Sequence, residues 1–257
     1  MPTRDGSTDL SVGDGTVNEL LLIASVFVIF GAALAAYWLF GRTGLYCVSA
    51  AATILANIEV LILVNAFGME QTLGNVLFAV TFLITDILSE CEGKKAANLA
   101  VWTGIFCSIF FLVLSQGWLL YTPSENDRVF GAIRTVFSNT PRMILASLSV
   151  YAVSQFFDVW LYHKWWEFTD RRFGDKRRFL WLRNNGSTLV SQLINSLLFT
   201  LFAFWGEYDG GTIVSIFVSS YLIYVATSLL DTPFVYLARR ISDRKKAKEA
   251  LADGQKV

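Results

Sequence analysis

Charge is scarce in this sequence. Asp, Glu, Lys and Arg make up 16% of its 257 residues, against roughly 25% in an ordinary globular domain, which excludes a soluble enzyme with a water-facing surface. Histidine occurs once, as His163 beside Lys164. A structural zinc site wants about four His or Cys ligands, so no metal centre is expected. Cys47, Cys91 and Cys107 are odd in number and have no close pair, which excludes a disulfide framework and a CxxC redox or metal site. There is no Walker sequence and no GxGxxG, so no familiar nucleotide loop and no cofactor are expected. What the chain does have is hydrophobicity, 54% of residues, with 15% aromatic. That composition excludes intrinsic disorder.

The apolar residues come in long uncharged runs. A bilayer crossing takes roughly 20 mainly apolar residues, and seven stretches qualify: 19–40, 44–66, 73–89, 96–121, 142–163, 187–206 and 212–237. The third is the shortest and most polar, with Asn75, Thr81, Thr85 and Asp86. The fold class expected is all-α, a polytopic membrane bundle of about seven transmembrane helices. The leader sets Arg4 against Asp5, Asp9 and Asp14. A cleaved signal begins with a positive segment, so the first stretch is expected to stay as an anchor. Three regions follow: a polar extracytoplasmic tail (1–18), a transmembrane domain (19–238) and a basic cytoplasmic tail (239–257).

Net charge is zero, but its layout is informative. With seven crossings, alternate compartments collect seventeen basic residues on one side and four on the other. Short loops rich in Lys and Arg stay in the cytoplasm, so the N-terminus is expected outside and the C-terminus cytoplasmic, in the cell membrane. Six crossings would put the basic loop 164–183 and the basic tail on opposite sides. Trp38, Trp160, Trp165 and Trp166 fall at predicted inner ends, Trp118 and Trp205 at outer ends, as an interfacial belt requires. The tail 239–248 is expected to meet anionic headgroups rather than nucleic acid.

Several polar residues lie where the bilayer penalises them. Glu59, Asp86, Glu90, Asp158 and Asp231 fall within or at the ends of the apolar stretches, with Asn57, Gln192 and Asn195, and no Lys or Arg accompanies them inside. A charged side chain at mid-membrane costs about 2.5–3.5 kcal/mol on the insertion scale and marks a functional site by default. Asp86 and Glu90 share a helix face at i, i+4, ahead of Lys94 and Lys95. Asp158 precedes Lys164, and Asp231 lies two turns before Arg239 and Arg240. Pairing with this basic rim is one reading, and ligand recognition is the other. Glu59 is expected well inside the second stretch, beyond reach of Arg42. At the start of the sixth, Asn185 and Ser187 read as helix caps, and Gln192 and Asn195 share a face that suits helix packing or ligand contact alike. Asp231-Thr232-Pro233 predicts a break in the last helix, because proline removes a backbone donor.

Three segments then carry a resemblance. Phe82-Leu83-Ile84-Thr85-Asp86-Ile87-Leu88-Ser89-Glu90 with Glu92-Gly93-Lys94-Lys95-Ala96, Arg183-Asn184-Asn185-Gly186-Ser187-Thr188 with Ser191-Gln192, and Leu230-Asp231-Thr232-Pro233-Phe234-Val235-Tyr236 are similar, in order, to signature segments of the queuosine precursor transporter family, formerly described as vitamin uptake transporters. The similarity runs from about residue 44 to 240. It implies uptake of queuine or related 7-deazaguanine bases such as preQ0 and preQ1, a core of about six spans with the first helix added, and no enzymatic activity. The family usually has an acid where this chain has Asn195 and a lysine where it has Tyr224.

A guanine-like base presents adjacent N–H donors that a carboxylate accepts as a pair, which would suit Asp86, Glu90 or Glu59. Its flat face would stack on an aromatic ring, with Phe82, Trp102 and Tyr224 as candidates. Gln192 and Asn195 would read the remaining edge, and Asp231 completes the substrate-binding set. The partners expected are that small molecule and the bilayer, with a homo-oligomer left open. A capture subunit docking to an energising complex is the alternative, with Ala32 and Ala36 spaced for helix docking. An intramembrane enzyme would need a nucleophile and base, for which Ser89 near Asp86 is a poor start.

Overall fold

A computed structural model describes residues 8–138, 140–175, 178–204, 206 and 209–254. Its described residues form eight helices and one small hairpin: α1 (Thr8–Phe40), α2 (Arg42–Glu59), β1 (Leu63–Ala66), β2 (Met69–Thr72), α3 (Gly74–Cys91), α4 (Lys94–Trp118), α5 (Phe130–Ser138), α6 (Thr140–Phe173), α7 (Leu180–Phe204) and α8 (Gly210–Gly254). Each expected apolar stretch corresponds to a helix, except the end of the second. Five helices, α1, α3, α4, α7 and α8, are long and apolar enough to cross a membrane. Polar residues thin the apolar run in the other two: Arg42, Asn57 and Glu59 in α2, and Gln155, Asp158 and His163 in α6.

α3 is the axis of the bundle. Nearly every residue of it is buried, as expected of a helix packed on all sides. It touches α1, α2, α4, α6 and α8, while α7 packs between α6 and α8. Leu83, Ile84, Ile87 and Leu88 are fully buried along it, and Phe30 of α1 meets Phe234 of α8 edge to face at 5.5 Å. The outward faces are apolar instead: Phe106, Trp102 and Val113 of α4 are at least 60% exposed. Such a surface fits lipid contact, since large apolar patches are rare on soluble monomers. Close helix approach uses Gly104, where a Cβ would collide with the Tyr151 hydroxyl of α6.

Three expectations are corrected. The second stretch does not run to residue 66 as helix. α2 ends at Glu59, and the chain continues into an antiparallel hairpin pairing Leu63 with Thr72 and Ala66 with Met69. Phe67 and Gly68 both take positive φ, 55° and 71°, the mirror-image turn that matches hairpin twist. Val60, Ile62 and Val64 add the β-branched bias of a strand. Glu59 is therefore the last residue of α2 and half-buried, not deep within a span.

The sixth stretch starts earlier than expected. α7 opens at Leu180, so Asn185 and Ser187 are interior residues rather than caps, and Arg183 is a helical residue with no solvent exposure. Nor does Pro233 break α8, which is continuous from Gly210 to Gly254. The Thr232 hydroxyl back-bonds to the Ser228 carbonyl at 3.4 Å and accepts amide donors from α7, so neighbouring groups stabilise the turn. Trp205, expected at an outer end, lies outside the described residues, as does Arg4 of the leader.

Candidate functional site: a polar column along the central helix

The polar residues that α3, α6, α7 and α8 turn inward meet in one column. On α3 it runs from Asn75 to Glu90, 15 residues at about 1.5 Å each, or roughly 22 Å.

One end of the column is a cleft. It is lined by Ala56 of α2, Val60 just after it, Thr72 of β2, Gly74, Asn75 and Phe78 of α3, Ser147 of α6, Asn195 and Phe199 of α7, and Tyr224 of α8. The partly open space is about 350 Å³. The buried Tyr224 hydroxyl donates to Asn75 Oδ1 at 3.0 Å and lies within reach of Asn195. The two positions that depart from the resembling family therefore face each other. Phe82, one turn deeper than Phe78, is fully buried with its ring 5.8 Å from that of Phe78. Trp102 points outward against Phe156 and takes no part in the cleft.

Below the cleft, Gln155 ties α6 to α3. Its amide donates to the Thr81 hydroxyl at 2.6 Å and its carbonyl accepts from Thr85 at 3.0 Å. Next come three carboxyls, Asp86, Asp158 and Asp231, each no more than 2% exposed. Asp86 Oδ2 accepts from Thr188 at 2.9 Å and Asp158 Oδ1 from Ser191 at 2.6 Å. Asp231 Oδ1 accepts from Asn184 at 2.7 Å, and Asn185 donates to Thr232 at 2.7 Å. Thr188 and Ser191, which hold Asp86 and Asp158, lie one turn apart on α7, so the two carboxyls share one face of that helix, with Asp231 tied to the same helix through Asn184. Asp86 Oδ1, Asp158 Oδ2, Asn184 Oδ1 and Gln192 Oε1 are buried acceptors without a protein donor. Leaving such groups unpaired costs about 1–3 kcal/mol each.

The far end is an ion-pair cluster. Arg183 donates to Glu90 through Nε at 2.9 Å and through Nη2 at 2.7 and 2.8 Å to its two oxygens. The Tyr162 hydroxyl donates to Glu90 Oε2 at 2.7 Å, and Arg239 of α8 approaches Oε1 at 3.1 Å. The Arg183 guanidinium lies 4.4 Å over the Trp166 ring, a cation–π contact, and caps the Arg178 carbonyl at 3.0 Å. Four helices are thereby clamped at one carboxylate.

These contacts decide the rim-pairing reading. Asp86, Asp158 and Asp231 take hydroxyl and amide donors, not the nearby lysines and arginines. Glu90 does pair with Arg239, but its principal partner is Arg183. Of the expected site residues, Phe82, Asp86, Glu90, Gln192, Asn195, Tyr224 and Asp231 lie along the column or cleft, and Glu59 stands apart at the end of α2. Sequence reasoning missed Arg183, Tyr162, Asn184 and Gln155 as members. Arg183 and Asn184 open the second signature segment, which was the available signal; Tyr162 and Gln155 had none beyond helical spacing from Asp158. Among the described residues no group of three or more His, Cys, Asp and Glu is placed to hold a metal ion.

Comparison with known proteins supplies the class. A family model described as "Putative vitamin uptake transporter" matches residues 72–238. The chain belongs to this family. The match begins at the end of β2 and contains the column except Arg239, leaving α1 and α2 outside it. A protein of Bacillus subtilis (strain 168) named "Probable queuosine precursor transporter" is 40% identical over 202 residues, 79% of this chain and 86% of that one. The "Queuosine precursor transporter" of Escherichia coli (strain K12) is 27% identical over 154 residues, 60% of this chain and 64% of that one. No solved structure matches. The family is one of multi-pass membrane transporters for small molecules, not of enzymes.

Proposed function

We propose that this protein takes up queuosine precursors, queuine or 7-deazaguanine bases such as preQ0 and preQ1, across the cell membrane, and that the polar column is their path. The relatives' names support the substrate. The observation that carries the site is the set of buried acceptor oxygens without donors, Asp86 Oδ1 and Gln192 Oε1 foremost, because a guanine-like edge brings adjacent N–H donors. A carboxylate offers about four acceptor positions, so Asp86 can accept two base N–H groups while keeping Thr188. Phe82 supplies the stacking face, worth roughly 1–3 kcal/mol per base, and Asn195 and Tyr224 form the mouth of the cleft.

Positive-inside orientation puts the Glu90 cluster at the cytoplasmic end and the cleft at the outer end, with the N-terminus outside. The present conformation is then sealed inside by Glu90, Arg183, Arg239 and Tyr162. Release of a base to that side therefore requires the cluster to part. Asp231 fixes α8 to α7 through Asn184 at the same level as Asp86. Glu90 acts as a clamp rather than a direct acceptor, and Glu59 lies outside the path. The basic tail meets anionic headgroups.

The test is direct binding to purified, detergent-solubilised protein, comparing queuine, preQ0, preQ1 and guanine. Selective binding of one deazaguanine, lost in Asp86→Asn with folding intact, is expected. Unchanged affinity in Asp86→Asn would defeat the carboxylate reading, and no binding of any base would defeat the substrate reading.

A further inference from the structure

The site just described has an acid with no task in recognising the base. Asp158 sits on α6, fully buried, with Oδ1 held by Ser191 at 2.6 Å and Oδ2 without a donor. Ser191 lies one turn from Thr188, which holds Asp86, so α7 brings the two buried carboxyls side by side, and Asp86 Oδ1 also lacks a donor. Two carboxylates held side by side in a dry interior repel strongly, and one proton between them converts that repulsion into a hydrogen bond.

The surrounding charges do not neutralise the pair. From α3 the other ionisable group is Glu90, already bound by Arg183, Arg239 and Tyr162. From α7 the guanidinium of Arg183 is directed at Glu90 and Trp166. From α8 comes a further acid, Asp231, and from α6 His163, whose charged neighbours are Lys94, Glu167 and Arg183. A second observation points the same way. Asn184, fully buried and hydrogen-bonded to Asp231, also presents an acceptor oxygen without a donor, so this level of the column is short of protons rather than of acceptors.

We propose that Asp86 and Asp158 hold one shared proton and that this proton is co-transported with the substrate. The proposal rests on the reading that Asp86 accepts the base. With the proton on Asp158, Asp86 is an anion that accepts from Asp158, from Thr188 and from the base, and the pair carries a single negative charge. With the proton gone, the pair carries two, and closing the column around them is unfavourable. Substrate and proton therefore occlude together and leave together, which is symport.

Two measurements test it, the first without any substrate. Infrared difference spectra of the purified protein at neutral pH, for wild type, Asp158→Asn and Asp86→Asn, are expected to show a protonated-carboxyl carbonyl band that both substitutions remove. Coincident spectra in that region for all three proteins overturn the shared proton. The second is uptake of a deazaguanine base into proteoliposomes under an imposed pH or sodium gradient. An acidic exterior is expected to raise wild-type accumulation up to about tenfold per pH unit, the limit for one proton per substrate. Asp158→Asn, a neutral mimic of the protonated acid, should exchange base for base yet lose this accumulation. Accumulation that follows sodium, or that survives in Asp158→Asn, overturns coupling at this pair. Failure of wild type to exchange any base strikes the substrate reading, while the infrared band judges the proton separately.

Discussion

The Glu90 cluster makes a prediction that can be worked through from its contacts. Glu90 receives three donors and two guanidinium charges, with its side chain 2% exposed and that of Arg183 fully buried. Glu90→Leu leaves Arg183 buried with Arg239 as its neighbour and no anion, the situation in which breaking a buried pair costs about 3–5 kcal/mol. Arg183→Met is milder. Glu90 keeps Tyr162 at 2.7 Å and Arg239, which is 16% exposed at 3.1 Å, and Met retains contact with the Trp166 ring, so the loss is that of charge-assisted hydrogen bonds, about 1.5–3 kcal/mol. The double variant removes both charges and should cost less than Glu90→Leu alone. The cycle therefore predicts a coupling of about 2–3 kcal/mol, at the upper end for contacting residues. Equilibrium unfolding in mixed dodecylmaltoside and SDS micelles, followed by tryptophan fluorescence, measures all three. Additivity within about 0.5 kcal/mol, or a cost below about 1 kcal/mol for Glu90→Leu, would show that the clamp contributes little.

Other contacts give sharper, smaller tests. Asn184→Ala unties Asp231 and Thr232 and should destabilise by about 1–3 kcal/mol in the same assay, whereas Asn185→Ala, which loses Thr232 but no acid, should cost less. Gly104→Val forces the Tyr151 hydroxyl aside and should cost about 1–3 kcal/mol, with Tyr151→Phe recovering part of it; an unchanged melting temperature in Gly104→Val would contradict the close approach of α4 and α6. Asp209 accepts from the Gly211 and Thr212 amides and the Thr212 hydroxyl at the start of α8, and these donors hold its carboxyl below the usual range. A lowered folded value means that its stabilisation is present above the unfolded value of about 3.9 and fades as pH falls through the folded one. Hydrogen exchange at Gly211 and Thr212, corrected for intrinsic rate, should therefore lose protection below about pH 4, and Asp209→Ala should show that loss at neutral pH.

Much of the fold was legible because lipid exposure writes itself into composition. Long uncharged runs marked α1, α3, α4, α7 and α8, and the acids within the apolar stretches, α6 included, marked the column. The hairpin was not legible. Val60 to Val64 are as apolar as any span, and only a turn such as Phe67-Gly68, with no Asn or Asp to announce it, separates strand from helix there. Arg183 was misplaced for a related reason: a hydropathy reading ends a span at the first charge, yet a guanidinium with a carboxylate, a tyrosine and a tryptophan face around it loses little by being buried. The partners lie on other helices, up to 93 residues away in sequence for Glu90, so no local window contains them. The same holds for Asp158. Its spacing from Lys164 suggested a rim pair, whereas the helix packing turned it toward Asp86.

The exchange at the mouth of the cleft bears on how the acids below it act. The resemblance implies an acid and a lysine where this chain has Asn195 and Tyr224, and the structure brings these two side chains together with Asn75. Losing one member of a buried pair is costly, but replacing both is often neutral, which explains how the fold tolerates the exchange. Its consequence is electrostatic. With no charge at the mouth, the field along the column comes from Asp86, Asp158 and Asp231 alone at one level and from the balanced Glu90 cluster at the next. Charge-dependent steps are thereby concentrated between the levels of Asp86 and Glu90, about one turn of α3. Restoring the pair with Asn195→Glu and Tyr224→Lys should leave stability within about 1 kcal/mol of wild type, by the same argument run in reverse. Either substitution alone should cost several times more. If the single and double variants were equally destabilised, the two positions would not be electrostatic partners, and the cleft would have to be rebuilt around a different contact.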